Sequence, residues 1–260
     1  MGHEANTMDS LQNNGEEPKK LVAAAAERNC PHIVEVVLPF LVDQTVEGVD
    51  GRQRVTLLEV ASGTGQHAFA IASALSERAV ESTGSTGSTG RTGPFVVQPS
   101  DLYSEDGFES IRAYASDHRR RYHQTQDTVR MEDPISLDCT SPTFVEEFRQ
   151  RTGEDHVDAI LCVNMTHIAP IEATFGLIES SGMLLDKGGV LMVYGPFKDE
   201  DGNFTTDSNA AFDASLRSRN PEWGYRSLRL LDDRCTAVDL QLDTRLDMPA
   251  NNYLSIYRKR

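Results

Sequence analysis

The stretch Leu57–Ala68, LLEVASGTGQHA, constrains the fold of this chain more than any other. Val55, Leu57, Leu58 and Val60 form the apolar, partly β-branched run of a strand buried on both faces of a parallel sheet. Gly63 and Gly65 break that run, and Ala68, Phe69, Ile71, Ala72 and Leu75 return at helical spacing. Strand, glycine turn and helix are the front of a nucleotide-type βαβ unit. Glycine suits such a turn because a Cβ there holds the backbone away from a ligand.

Glu59 separates the ligand classes such a unit can serve. Its carboxylate sits inside the apolar strand, which is costly unless a cation or a donor meets it. A dinucleotide brings the opposite charge, since its pyrophosphate approaches the same turn. Gly63-Thr64-Gly65-Gln66-His67-Ala68 fits the dinucleotide pattern G-x-G-x-x-G/A, a short match of low specificity. The longer string Glu59-x-Ala61-x-Gly63-x-Gly65 resembles the first motif of class I S-adenosylmethionine (SAM) methyltransferases, whose ligand carries an ammonium and a sulfonium. A nicotinamide oxidoreductase is the competing enzyme reading, and a non-catalytic SAM-fold interaction protein is the third.

Composition narrows the partners. A formal charge of −15 over 260 residues argues against a nucleic-acid surface, which needs clustered Lys and Arg, and favours a small-molecule substrate. Cys30, Cys139, Cys162 and Cys235 show neither C-x-x-C nor zinc spacing, so reduced structural thiols and no metal are expected. No apolar run reaches membrane-spanning length and residues 1–20 lack a signal-peptide core, which makes the cytoplasm the expected compartment with the nucleus left open. Nothing in the composition specifies an oligomeric state.

Residues 1–20 read as a disordered tail, with one domain over 21–260. Pro31 is expected to open a helix whose buried stripe is Ile33, Val37, Leu38 and Leu41, with Asn29 as its cap and Glu27-Arg28 as a solvated turn. Ser82–Pro94 is a low-complexity insert. The second strand, Phe95–Pro99, delivers Asp101. Asp101 follows Gly65 by 36 positions (101 − 65), or 23 without the 13 inserted residues, near the roughly 20 expected of an acid that grips ribose hydroxyls. Helix initiation is the alternative role for Asp101. A helix follows over Phe108, Ile111 and Ala115, with Arg119–Arg121 at its solvated end. The third strand is expected around Ile135–Leu137, with Asp138-Cys139 at its carboxyl end. Val157–Val163 is the fourth, and Asn164 and His167 leave it towards the cleft where ligands of open parallel sheets bind. His167 is a candidate base, against the plainer role of a hydrogen-bonded structural histidine. A helix over Ile171–Leu185 leads to a fifth strand, Val190–Tyr194, which brings Tyr194 to the same edge. Residues 205–226 read as a cap carrying Asp213, Arg219 and Trp223, with a packed surface helix as the plainer alternative. Gln241–Arg245 and Tyr253–Tyr257 should pair as an antiparallel hairpin, a feature that separates class I methyltransferases from dinucleotide dehydrogenases.

The blocks AAAAERN (23–29), EVASGTGQH (59–67), QPSD (98–101), LCVNMTHIAP (161–170), YGPF (194–197), FDASLRSRNPEWGYR (212–226) and DMPANN (247–252) resemble the methyltransferase-like protein 26 family. The resemblance runs from Leu21 to Arg260, apart from Ser82–Pro94 and part of Arg119–Thr128. It implies a Rossmann-like α/β fold, a seven-stranded mostly parallel sheet closed by a C-terminal antiparallel hairpin, with helices on both faces. It implies SAM as cofactor and S-adenosylhomocysteine as product, and it brings no substrate. It also gives functional interest to Arg28, Asn29, His67 and Trp223. The expected cofactor set is therefore Arg28, Asn29, Glu59, Ala61, Ser62, Gly63, Gly65, His67, Asp101, Leu102, Asp138, Cys139 and Asn164. His167 and Tyr194 are the expected catalytic pair, and Asp213, Arg219 and Trp223 face the substrate.

Overall fold

The computed structural model describes residues 19–43, 54–83 and 94–260. Its strands are β1 (Val55–Val60), β2 (Phe95–Asp101), β3 (Val129–Met131), β4 (Ile135–Ser136), β5 (Val157–Val163), β6 (Leu185–Gly195), β7 (Leu240–Met248) and β8 (Asn252–Lys259). They form one sheet in the order β3-β2-β1-β5-β6-β8-β7, with β4 alongside β2. Pairing is parallel from β3 to β6, and β8 then runs antiparallel to both β6 and β7. This is the expected Rossmann-like α/β architecture of class I methyltransferases with the hairpin in place, but the sheet has eight strands rather than the expected seven, because β2 pairs with both β3 and β4.

Alternate residues of β1 serve two cores. Val55 and Leu57 pack towards α1 (Ala24–Asp43), α2 (Gln66–Thr83) and α3 (Glu105–Arg121). Leu58 and Val60 pack towards α4 (Phe144–Thr152), α5 (Ile171–Leu184) and α7 (Leu228–Thr236), which follows α6 (Asp207–Arg219). Burial on both faces is why these strands read as unbroken apolar runs. Among the described residues no helix is long and apolar enough to cross a membrane.

The structure corrects three expectations. The first helix begins at Ala24, so Pro31 and Pro39 lie inside it and Asn29 is no cap. Its first turn forms upstream of the proline, where Glu27 N–H donates to Ala23 O at 3.0 Å, and burial of Ala26, Ile33, Val37 and Leu41 holds the helix through the missing N–H. The third strand is Val129–Met131, three residues long, and the expected Ile135–Leu137 strand is the two-residue β4. β6 starts at Leu185 rather than Val190, because an irregularity lets Leu185 pair with Val157 before Val190 pairs with Ala159.

The expected tail lies largely outside the described residues. Lys20, assigned to it, is anchored instead: its ammonium bonds Asp117 and stands 4.9 Å from the Tyr114 ring centroid. Residues 84–93 of the insert are also outside, while Ser82 and Thr83 continue α2.

Candidate functional site

The carboxyl ends of β1, β2, β4 and β5 surround a cavity of about 410 Å³. Ala61, Ser62, Gly63 and Thr64 enter its wall directly after β1. Asp101 and Leu102 come from the end of β2, Asp138, Cys139 and Thr140 from beyond β4, and Asn164 and Met165 from beyond β5. His67 of α2 completes the polar lining, while Ala25 and Ala26 of α1, Ile168 before α5 and Ala173 within it close the apolar sides.

Backbone geometry concentrates there. Gly63 and Gly65 have φ of 56° and 88°, which glycine adopts freely. Ala61 and Asn164 both have φ of 59°, a strained region for a non-glycine residue, and both line the cavity. Asp101 ties the loop to β2: its Oδ2 accepts the Gly63 N–H at 2.6 Å and its Oδ1 the Leu102 N–H at 2.7 Å. A pyrophosphate at this turn would need the Gly63 N–H that the carboxylate already holds.

The family described as "Protein of unknown function (DUF938)" matches residues 20–89 and 91–259. The chain belongs to that family. Among solved structures the fold is similar to an O-methyltransferase family protein from Burkholderia thailandensis, at TM-score 0.55 and 15% identity, with 90% of this chain and 59% of that one covered. An O-methyltransferase family 2 protein from Planctomyces limnophilus, solved with apigenin, gives TM-score 0.56 at 17% identity, covering 90% and 62%. PigF, solved with S-adenosylhomocysteine, gives 0.52 at 16%, covering 89% and 59%. The DUF938 chain thus spans about three fifths of the length of these proteins, and the likeness is one of fold.

The charges of the DUF938 cavity are of one sign. Asp101 and Asp138 line it, and no Lys or Arg does among the described residues. Behind the wall Glu59 is 1% exposed, and no donor among the described residues stands at full hydrogen-bond distance from either carboxylate oxygen. Burial pushes its carboxyl up to about 8, Asp101 adding to the rise while the nearby Ser62 hydroxyl and Ala68 N–H oppose it. His67 Nδ1 is 3.9 Å from Glu59 Oε1, and its Nε2 is 2.7 Å from Asn29 Oδ1. Burial pulls His67 down to about 4.

The Glu59 shift sets a pH dependence of stability. A carboxyl at about 8 in the fold and near 4.5 when unfolded binds a proton that the unfolded chain has released. Its contribution is complete below pH 4.5 and is lost as pH rises through 8. Glu59→Gln therefore stabilises the ligand-free protein relative to wild type at pH 8, by a few kcal/mol, and much less at pH 5. Thermal unfolding of both proteins at the two pH values checks this; equal differences at both would contradict it.

The remaining expected site residues stand apart from the cavity. Gly65 packs on α3, where an added Cβ would lie 3.1 Å from Ile111 Cα. Arg28 is exposed on α1. Tyr194 is 2% exposed, and its hydroxyl accepts from Asn252 Nδ2 at 3.1 Å. His167 is buried with its Nδ1 unpartnered, its ring centroid 6.1 Å from that of Phe212 and 6.2 Å from that of Tyr225. Burial, with Arg226 nearby, lowers His167 to about 4. Asp213 is occupied within its own segment, accepting from Arg217 Nε at 2.8 Å and Tyr225 N–H at 2.6 Å. Arg219 lies over the Trp223 ring, 5.8 Å from its centroid. This segment docks on the loop after β5, since Gly224 N–H donates to His167 O at 3.0 Å and Arg226 Nη2 to Ala169 O at 2.7 Å.

Sequence reasoning did not single out Met165, Ile168 or the α1 alanines. The rule that ligands meet strand carboxyl ends covers the first two. The alanines carried no signal once the helix was expected to start at Pro31.

Proposed function

We propose that this DUF938 chain is a SAM-dependent methyltransferase acting on a small molecule. The observation that carries the reading is a cavity at the parallel strand ends lined by two carboxylates and no cation, with Asp101 occupying the Gly63 N–H. A cationic ligand is favoured there and a pyrophosphate disfavoured, which speaks against the nicotinamide alternative. The buried Glu59 carboxyl behind the wall, uncompensated by any cation among the groups facing it, fits the positive charge of the ligand's methionine end. The volume lies within the range of small-ligand pockets.

Bound SAM supplies a methyl carbon already activated by its sulfonium. The chain's part is to hold the reactants in line. Asp101 would bind the ribose hydroxyls through lone pairs that its two backbone bonds leave over. Asp138 and Cys139 would line the adenine, and the Ser62–Gly65 backbone permits close approach. Residues 205–226 would cover the acceptor side, bringing the cap's aromatic rings, His167 and Tyr194 near it. Burial keeps His167 a weak, neutral base and raises the Tyr194 phenol above its ordinary value, so neither is a ready proton acceptor in the ligand-free protein. Protection from water is the larger contribution expected of the cap. Placement with the methyltransferase-like protein 26 family rests on the blocks RNPEWG and DMPANN and belongs to the same proposal.

Calorimetric titration with SAM, S-adenosylhomocysteine and NADH tests the cofactor. SAM and S-adenosylhomocysteine should bind and NADH should not; the reverse pattern overturns the reading. Labelled SAM incubated with a metabolite extract then separates an enzyme, which transfers label to a small molecule, from an interaction protein, which transfers none.

A further inference from the structure

Behind the cavity wall a buried polar chain links three elements. Asn29 of α1 is 8% exposed, and its Oδ1 lies 2.7 Å from His67 Nε2. An amide oxygen only accepts, so Nε2 carries the ring proton and Nδ1 presents a lone pair. That lone pair faces Glu59 Oε1 at 3.9 Å, and an ionised carboxylate is also only an acceptor. The Ser62 hydroxyl and the Ala68 N–H favour the ionised carboxylate, but burial outweighs them, and with an acceptor facing it the carboxyl keeps its proton. The orientation of Asn29 is fixed from its other side: its amide donates towards the Tyr194 oxygen, which Asn252 Nδ2 also meets at 3.1 Å.

We propose that Asn29 is a positioning residue that fixes His67 as the Nε2–H tautomer, so that the ligand-free protein stores one proton between Glu59 and His67 and releases it when a cation enters the cavity. The proposal rests on the reading of that cavity as a SAM site. Before binding, the Glu59 carboxyl keeps its proton, with His67 Nδ1 facing it at 3.9 Å, and the pair is neutral. The ligand's ammonium favours the ionised carboxylate. The O–H bond of Glu59 then breaks, the proton passes to His67 Nδ1, and the imidazolium gives it up to solvent through the cavity that His67 lines. Glu59 is left ionised beside the ligand cation and His67 neutral as before.

Burial supports this placement of the proton, pushing Glu59 up to about 8 and His67 down to about 4. The other titratable groups facing Glu59 are Cys30 from α1, Asp101 from β2 and Cys162 from β5. Both thiols are held protonated by burial, and Asp101 raises Glu59 further. No cation among them discharges the carboxyl.

Calorimetry with SAM at pH 7, in buffers of different ionisation enthalpy, counts the proton. Wild type should release close to one proton per SAM bound. In Asn29→Leu the ring is free to carry its proton on Nδ1 and donate to an already ionised Glu59, so release falls towards zero. Asn29→Asp keeps an acceptor oxygen and should restore it. A purely structural Asn29 would weaken binding equally at every pH and leave the proton count unchanged. Nitrogen NMR of His67 in ligand-free wild type gives a second reading independent of any variant: an Nε2–H tautomer is expected, and an Nδ1–H tautomer overturns the proposal. SAM binding without proton release overturns it too and leaves the cofactor reading intact. Absence of SAM binding removes the cofactor reading itself.

Discussion

Asp101→Ala should weaken SAM binding about a hundredfold or more while leaving the fold nearly as stable as wild type. The carboxylate makes two charge-assisted bonds to backbone, at 2.6 Å to Gly63 and 2.7 Å to Leu102, and both lie at the exposed mouth of the cavity. Water can replace the carboxylate at both N–H groups, so unfolding measurements should register a loss of only about 1 kcal/mol. Binding responds differently. The ligand loses an ionised acceptor for its ribose, worth about 1.5–3 kcal/mol per bond, and the glycine loop loses the tie that orders it. Asp101→Asn, with one acceptor oxygen remaining, should fall between. Calorimetric titration of the three proteins decides the matter, and an unchanged affinity in Asp101→Ala would remove Asp101 from the site. A loss of stability as large as the loss of affinity would recast it as a structural residue.

Asp101 was legible in the sequence because its role depends on spacing. The distance from the glycine loop to the second strand's end survives the insert once those residues are subtracted. β1, α2 and β5 were legible for a related reason: each carries an uninterrupted period or apolar run, and both faces of the sheet are covered. Three-residue β3 has no period to read, and it owes its existence to pairing with β2. The start of α1 was hidden by Pro31, whose local preference is overridden by packing of the flanking turns. The family resemblance marked Asn29 and His67 one by one, but a residue expected as a cap could not be expected to reach His67, 38 positions away. Contacts of that kind leave no local trace. The sequence showed an isolated acid in a strand at Glu59, and only the assembled fold shows that His67 stands between it and Asn29 of the first helix.

Gly176→Ala should be among the most damaging single-methyl changes in the described chain, against what local propensity says. Ala is about 1 kcal/mol better than Gly inside a helix, so α5 taken alone would gain. In the fold, α5 passes so close to the turn after β4 that a Cβ on Gly176 would lie 1.7 Å from Cys139 O and 2.9 Å from Cys139 C. Both are backbone atoms, and no side-chain rotation relieves the overlap. Either α5 withdraws, opening its Leu177 and Ile178 contacts with the core below the sheet, or the Asp138–Thr140 turn moves out of the cavity wall. The first route costs about 3 kcal/mol, at the upper end of overpacking effects, which lowers the Tm by about 6–12 °C in a domain of this size. The second route displaces the carboxylate expected at the adenine and reduces SAM affinity even where the chain stays folded. Gly153→Ala is the control. Gly153 has φ of 73° with open space around it, so its alanine variant carries backbone strain of about 1 kcal/mol and no effect on binding. Thermal unfolding and SAM titration of the two variants separate the cases, and a Tm that rises in Gly176→Ala would mean that α5 does not seat on the Cys139 carbonyl in solution.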